Sequence, residues 1–228
     1  EGITSVKLGM KGIPAIAEEL GVVKAIYLSQ YTNTRIHLIN ISSAGSVELI
    51  REAKAKGVQI TCSCNAYNLY LKDEKLIDYD SNLKVLPPLR SSADIAALVN
   101  GVIDGTIDTI CSAHIPIDEE GKNLEFDLAS YGMIGLQTVF PILSEVADKK
   151  TMAEYIDAIS NRPRVVLNQT QTTIEEGNIP CLTAFDPNKT YTFDASMNLS
   201  KSKNTPFFNQ TFKGSVIGTF FNHQNTSK

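Results

Sequence analysis

The sequence predicts an α/β body followed by a small β-rich segment. Three observations carry that expectation. Between residues 13 and 159, short β-branched apolar runs alternate with stretches whose apolar residues recur every three to four positions. After Arg164 the texture changes to brief strand-like runs separated by turn residues. Between these lies Thr109 to Ile117, T-I-C-S-A-H-I-P-I, where an apolar run passes into small residues, a histidine and a proline. Such a stretch reads as a buried strand that ends at a site, because proline stops regular pairing. The expected division is 1–164 for the body and 165–228 for the β-rich segment.

Taken in order, Ile13 to Tyr31 reads as a helix. Pro14 suits its first turn, Glu18 and Glu19 favour its N-terminal dipole, and Ile16, Leu20, Val23, Tyr27 and Tyr31 form its expected inner face. Arg35 to Ser42 is nearly continuous apolar sequence, expected to be a strand buried on both faces. Ser43 to Gly57 is an amphipathic helix with Val47, Leu49, Ile50 and Ala53 inward and Gly57 placed to cap it. Val58 to Cys64 is the next strand, and the two strands with their intervening helix predict a parallel βαβ unit.

A looser section, Asn65 to Arg90, ends in K-V-L-P-P-L-R, whose prolines imply a fixed extended loop. Helices are expected at Ser91–Asn100, Gly132–Ala147 and Met152–Ile159, the last with Thr151 as a possible N-cap. Val165–Leu167, Cys181–Phe185, Thr190–Phe193 and Gly214–Phe221 are the expected short strands. The body fits either a (β/α)8 barrel or an open doubly wound sheet. Absence of a Gly-rich phosphate fingerprint weighs against a nucleotide-binding open sheet. About three strands are too few to close a barrel, so the chain looks like part of one.

Bulk properties narrow the function. The 228 residues are 43% hydrophobic and 20% charged, as in an ordinary folded domain. A net charge of −4 leaves no footprint for nucleic acid, and no apolar run is long enough for a membrane span. Cys62, Cys64, Cys111 and Cys181 read as reduced thiols, which points to the cytoplasm. Sequons at Asn40, Asn168, Asn198 and Asn209 read as chance in that setting.

A set of strings in order resembles the dihydroorotases of the cyclic amidohydrolase superfamily. They are L-G-M-K-G-I-P-A-I-A-E-E, S-A-G-S-V-E-L-I-R-E-A-K-A-K-G, P-P-L-R, D-G-T-I-D-T-I-C-S-x-H-x-P, E-F-D-L-A-S-Y-G-M-I-G-L-Q-T and L-S-K-S-K-N-T-P-F. The resemblance implies the C-terminal part of a metal-dependent (β/α)8 (TIM) hydrolase barrel with a small C-terminal β domain. It also implies that the N-terminal half of the barrel, with a His-x-His metal motif, is a partner outside this sequence. In that family metal polarises a ring amide and supplies hydroxide, and a carboxylate on the last strand takes the proton.

Position by position, the resemblance implies a dismantled site. The family's H-I-x-H-V-S strand aligns with His37 to Ser42, which puts Asn40 at a metal-ligand position. A neutral amide is a poor zinc ligand there. His37, three residues back, points to the opposite face and reads as a packed or hydrogen-bonded structural histidine. The family's T-P-H-H-L becomes Asn65 to Leu69 with neither histidine. Leu86 replaces the asparagine of N-P-P-L-R that touches substrate. In S-D-H-x-P-H, Ala113 replaces the aspartate that is both ligand and base, and Ile117 replaces a substrate-contacting histidine. His114 and Pro116 are retained.

Loss of site residues beside intact packing motifs favours a folded, non-hydrolytic protein over random drift. No cofactor is then expected. The family includes inactive members that associate with aspartate transcarbamoylase in pyrimidine synthesis, so the resemblance implies that partner and an oligomer. An active zinc-dependent cyclic amidohydrolase is the competing expectation. A displaced metal site built from Cys62, Cys64, Cys111 and His114 is a weaker alternative, because C-x-C lacks a second tight pair.

Overall fold

The computed structural model describes residues 1–221 and 224–227, so 222, 223 and 228 of the expected β-rich segment lie outside the described residues. The chain opens with α1 (Ile3–Leu8) and α2 (Ala15–Thr32). The body continues through β1 (Ile36–Ile41), α3 (Ala44–Ala55) and β2 (Ile60–Asn65), then α4 (Ser92–Ile103) and β3 (Thr109–Cys111). Next come α5 (Glu119–Lys122), α6 (Val139–Val146), α7 (Met152–Ile159) and α8 (Asn161–Val166). A small sheet closes the chain, formed by β4 (Cys181–Phe193), β5 (Gln210–Phe221) and β6 (Gln224–Ser227).

The first sheet has the order β1-β2-β3 and is parallel throughout. The expected βαβ unit is therefore present. Its helices are set by their caps: Ser43 Oγ accepts from the Ser46 amide at 3.2 Å, and Ser91 and Asp94 form a reciprocal capping box. Val47, Ile50 and Ala53 of α3 and Leu98 and Val102 of α4 are buried in one core with Cys62 and Cys64.

Four local expectations are corrected. Strand β1 is not buried on both faces; among the described residues it has a strand neighbour on one side only, and Ile39 is 68% exposed. Helix α2 turns the expected inner face outward, exposing Ile16, Leu20, Tyr27 and Tyr31. It packs instead through Val22, Ile26 and Ser29, whose hydroxyl donates to the Thr34 and Gln59 carbonyls. The helix expected from Gly132 starts only at Val139, because the Gly135 and Leu136 amides are given to His114 rather than to a helix. Val165–Leu167 is not a strand: α8 runs to Val166, and Leu167 caps it. Arg162 fixes that helix, with its guanidinium on Glu154, Asp157 and the Val102 carbonyl.

The second sheet is antiparallel, and β4 joins the two runs expected at 181–185 and 190–193, with irregular register between them. It rests on α6. The Phe140 and Phe185 rings are 4.6 Å apart, and the Lys213 amide donates to Glu145 at 2.8 Å.

Candidate strand-end site

Three parallel strands bring their C-terminal ends to one edge, where sites of α/β sheets and barrels form. Four residues of β1, from Leu38 to Ile41, lie opposite three of β2, from Cys62 to Cys64. The extra residue is a β-bulge that contains Asn40 at φ +61°, a conformation asparagine tolerates better than most residues. Across the sheet, Ala113 leaves β3 at φ +44° with no side chain suited to that conformation.

At the end of β2, where the sequence has neither histidine of the T-P-H-H-L string, lies a buried polar group. Asn65 Nδ2 donates to the Tyr67 hydroxyl at 3.0 Å and to Asn68 Oδ1 at 3.2 Å. Asn65 Oδ1 and Asn68 Nδ2 are left without a described protein partner. Burial pushes the Tyr67 phenol up to about 12 against the opposing Asn65 hydrogen bond, so it holds its proton at neutral pH. Beyond β3, Asn204 pins the departing chain. Its side-chain carbonyl accepts from the Ile117 amide, and its amide donates to the Ile115 and Gly132 carbonyls. Asn204 belongs to the string L-S-K-S-K-N-T-P-F, yet nothing in its spacing marks this role.

A second buried network ties the motif strings together behind the site. Glu18 Oε1 accepts from the Ser42 and Ser43 amides at 2.9 and 3.0 Å, and Ser42 Oγ donates to the same carboxylate. Arg90 lies 3.9 Å from Glu18 and donates to Ser42 Oγ and to the Ile13 carbonyl. The G-I-P-A-I-A-E-E, S-A-G-S and P-P-L-R strings thus meet at one ion pair. Leu86, in the same proline loop, is 52% exposed.

His37 lies near the start of β1, away from the strand-end edge, with Nδ1 2.8 Å from Thr61 Oγ1. Burial lowers its pKa, Arg35 and Lys54 add to that effect, and Asp108 opposes it. Cys62, Cys64, Cys111 and His114 are not assembled into a metal-holding group. Cys62 Sγ points to the Thr106 carbonyl, and His114 Nδ1 accepts the Gly135 amide. Burial pushes the Cys62 thiol up to about 12 and the Cys64 thiol well above its usual value, the reverse of a thiolate ligand. No cluster of three or more His, Cys, Asp or Glu able to hold a metal occurs among the described residues. The donor set of Asn40, Tyr67, Asn68 and a methyl group at Ala113 does not fit a zinc centre.

No protein-family model matches the chain. Curated relatives match along nearly all of it. The dihydroorotase of Pelotomaculum thermopropionicum is 42% identical over 217 residues, 94% of this chain and 51% of that protein. The dihydroorotase of Pelobacter propionicus is 37% identical over 221 residues, 96% and 52%. Along nearly its whole length the chain is similar to dihydroorotases. It spans about half the length of the curated relatives it matches.

Solved structures place this dihydroorotase-like chain in its fold. D-hydantoinase from a Bacillus species superposes with a TM-score of 0.85 at 19% identity, over 98% of this chain and 53% of that one. The inactive dihydroorotase-like domain of a Chaetomium thermophilum multifunctional protein gives 0.65 at 18%, over 90% and 54%. The fold is the C-terminal part of an amidohydrolase (β/α)8 barrel with its small β domain. No helix among the described residues is long and apolar enough to cross a membrane.

Proposed function

We propose that this protein is a non-catalytic dihydroorotase-like component of de novo pyrimidine biosynthesis, acting as a structural partner of aspartate transcarbamoylase. One observation carries the reading: the position of the family base is Ala113, whose methyl group can neither bind metal nor accept a proton. The strand ends around it are nevertheless well held, by the left-handed turn at Ala113, the Asn204 clasp and the Glu18–Arg90 pair. Asn40, Leu86 and Ile117 stand at the other substituted positions. The protein is then a cytoplasmic pseudoenzyme in an oligomer, completed by the N-terminal half of its barrel.

The second reading is an active zinc-dependent dihydroorotase, or a related enzyme that opens a cyclic amide. It is favoured by relatives named dihydroorotase, one of them 42% identical. Zinc would then need ligands from the other half of the barrel.

Purified full-length protein should fail to hydrolyse dihydroorotate with added zinc. It should contain zinc well below one per chain, and it should co-sediment with aspartate transcarbamoylase. Metal-dependent hydrolysis would overturn the proposal and leave the second reading standing.

A further inference from the structure

Between the end of β3 and the small sheet lies a cavity of about 230 Å³ that the strand-end site does not use. Ile134, Leu136, Phe193 and Leu199 give it apolar walls. Its shape is held in advance. Gln137 accepts from the Leu199 amide at 2.7 Å and donates to the Met197 carbonyl at 2.8 Å, which locks the loop that forms one wall.

One polar group of the lining has a fixed and unused donor. His114 Nδ1 accepts from the Gly135 amide at 3.1 Å and the Leu136 amide at 3.4 Å. A ring nitrogen that accepts an amide hydrogen carries no proton itself, which leaves the ring hydrogen on Nε2. Nε2 has no hydrogen-bond partner among the described residues, and His114 lines the cavity. Ser200, also on the wall, accepts from the Ser202 amide and keeps a rotatable hydroxyl hydrogen.

We propose that this cavity binds a small, neutral ring compound, largely apolar and carrying one carbonyl or amide oxygen that accepts from His114 Nε2. Size supports a ring: an apolar protein cavity of about 150 Å³ takes benzene, so this one has room for a ring with a substituent. Neutrality follows from the lining. No cationic side chain lines the cavity among the described residues, so nothing there would offset the water a carboxylate loses on entering it. A purely apolar ring would leave the Nε2 hydrogen unpaired and bind roughly tenfold more weakly, the equivalent of one hydrogen bond. The inference is independent of whether the protein hydrolyses anything.

The test is a titration of the intact protein with benzamide, toluene and benzoate, followed by amide chemical shifts. Benzamide should shift Leu136 and Leu199 saturably, toluene roughly tenfold more weakly, and benzoate not at all. Leu199 lines the cavity and is 81% exposed, so Leu199→Trp should fill the space without unfolding the chain. That variant should lose benzamide binding while its circular dichroism stays unchanged. The proposal is overturned if folded protein ignores benzamide, or if toluene or benzoate binds as tightly. Benzamide binding that survives Leu199→Trp overturns it as well.

Discussion

Asn40 and Ala113 share a left-handed backbone conformation, at φ +61° and +44°, one in β1 and the other just past the end of β3, on either side of β2. The two residues differ in how well they tolerate it. A non-glycine residue held there costs on the order of 1–3 kcal/mol, and asparagine sits at the low end because its side chain bonds locally. Alanine has no such help. Ala113→Gly should therefore stabilise the protein by about 1 kcal/mol after glycine's greater unfolded-state entropy is subtracted, whereas Asn40→Gly should change little. Urea unfolding of both variants checks this. A loss of stability in Ala113→Gly would show that the alanine methyl is a packing contact rather than a source of strain.

The Glu18–Arg90 pair makes a second prediction. Arg90 is buried, and its guanidinium also holds Ser42 and the Ile13 carbonyl. Removing one partner strands the other charge, so Arg90→Met should cost about 3 kcal/mol. Adding Glu18→Gln removes the stranded charge, so the double variant should recover part of that loss. A double-mutant cycle measures the coupling, and strict additivity would mean that Arg90 acts only through its contacts to Ser42 and Ile13.

Legibility in the sequence follows the range of the forces involved. Helices α3 and α4 are readable because their start signals, Ser43 and the Ser91–Asp94 box, and their apolar spacing are local. The face of α2 is not, since apolar residues occur around much of the helix and only its neighbours decide which side is buried. Val165–Leu167 has β-branched residues, but the Arg162 ion pairs impose helix from a distance. At the site, the substitutions at Asn40 and Ala113 are read directly against the family strings. The Asn40 bulge, the Asn65–Tyr67–Asn68 group and the Asn204 clasp are properties of two segments at once, which no single stretch displays.

Gly135 tests the loop that replaced the expected helix. A Cβ at this position would collide with the backbone carbonyl oxygen of Ser112, which cannot swing aside as a side chain can. The same residue gives its amide to His114. Gly135→Ala should therefore lower stability by about 2 kcal/mol or more, within the range for strain at a packed site. The His114 ring resonances should shift along with the loss. Wild-type stability in this variant would mean that the loop can retreat from β3 without cost.

Lys122 makes the pH prediction. Its ammonium is buried and donates to the Ser81 and Lys84 carbonyls at 2.8 and 3.2 Å. Burial lowers its pKa to about 8, Lys84 adds to this, and Asp80 opposes it. The unfolded chain holds that proton up to about 10.4. Between these values the unfolded state binds more protons, so the contribution of Lys122 to stability grows as pH rises from 8 and is lost as pH falls through 8. Buried Cys62 and Cys64 act in the opposite sense, because their raised pKa values make stability fall as pH rises above the unfolded thiol value. The wild-type curve alone therefore mixes the two. Lys122→Met separates them: its stability relative to wild type, from chemical unfolding at pH 7.5, 9 and 10, should decline steadily with pH. A difference that stays flat across that window would mean that Lys122 keeps an ordinary lysine pKa in the folded protein.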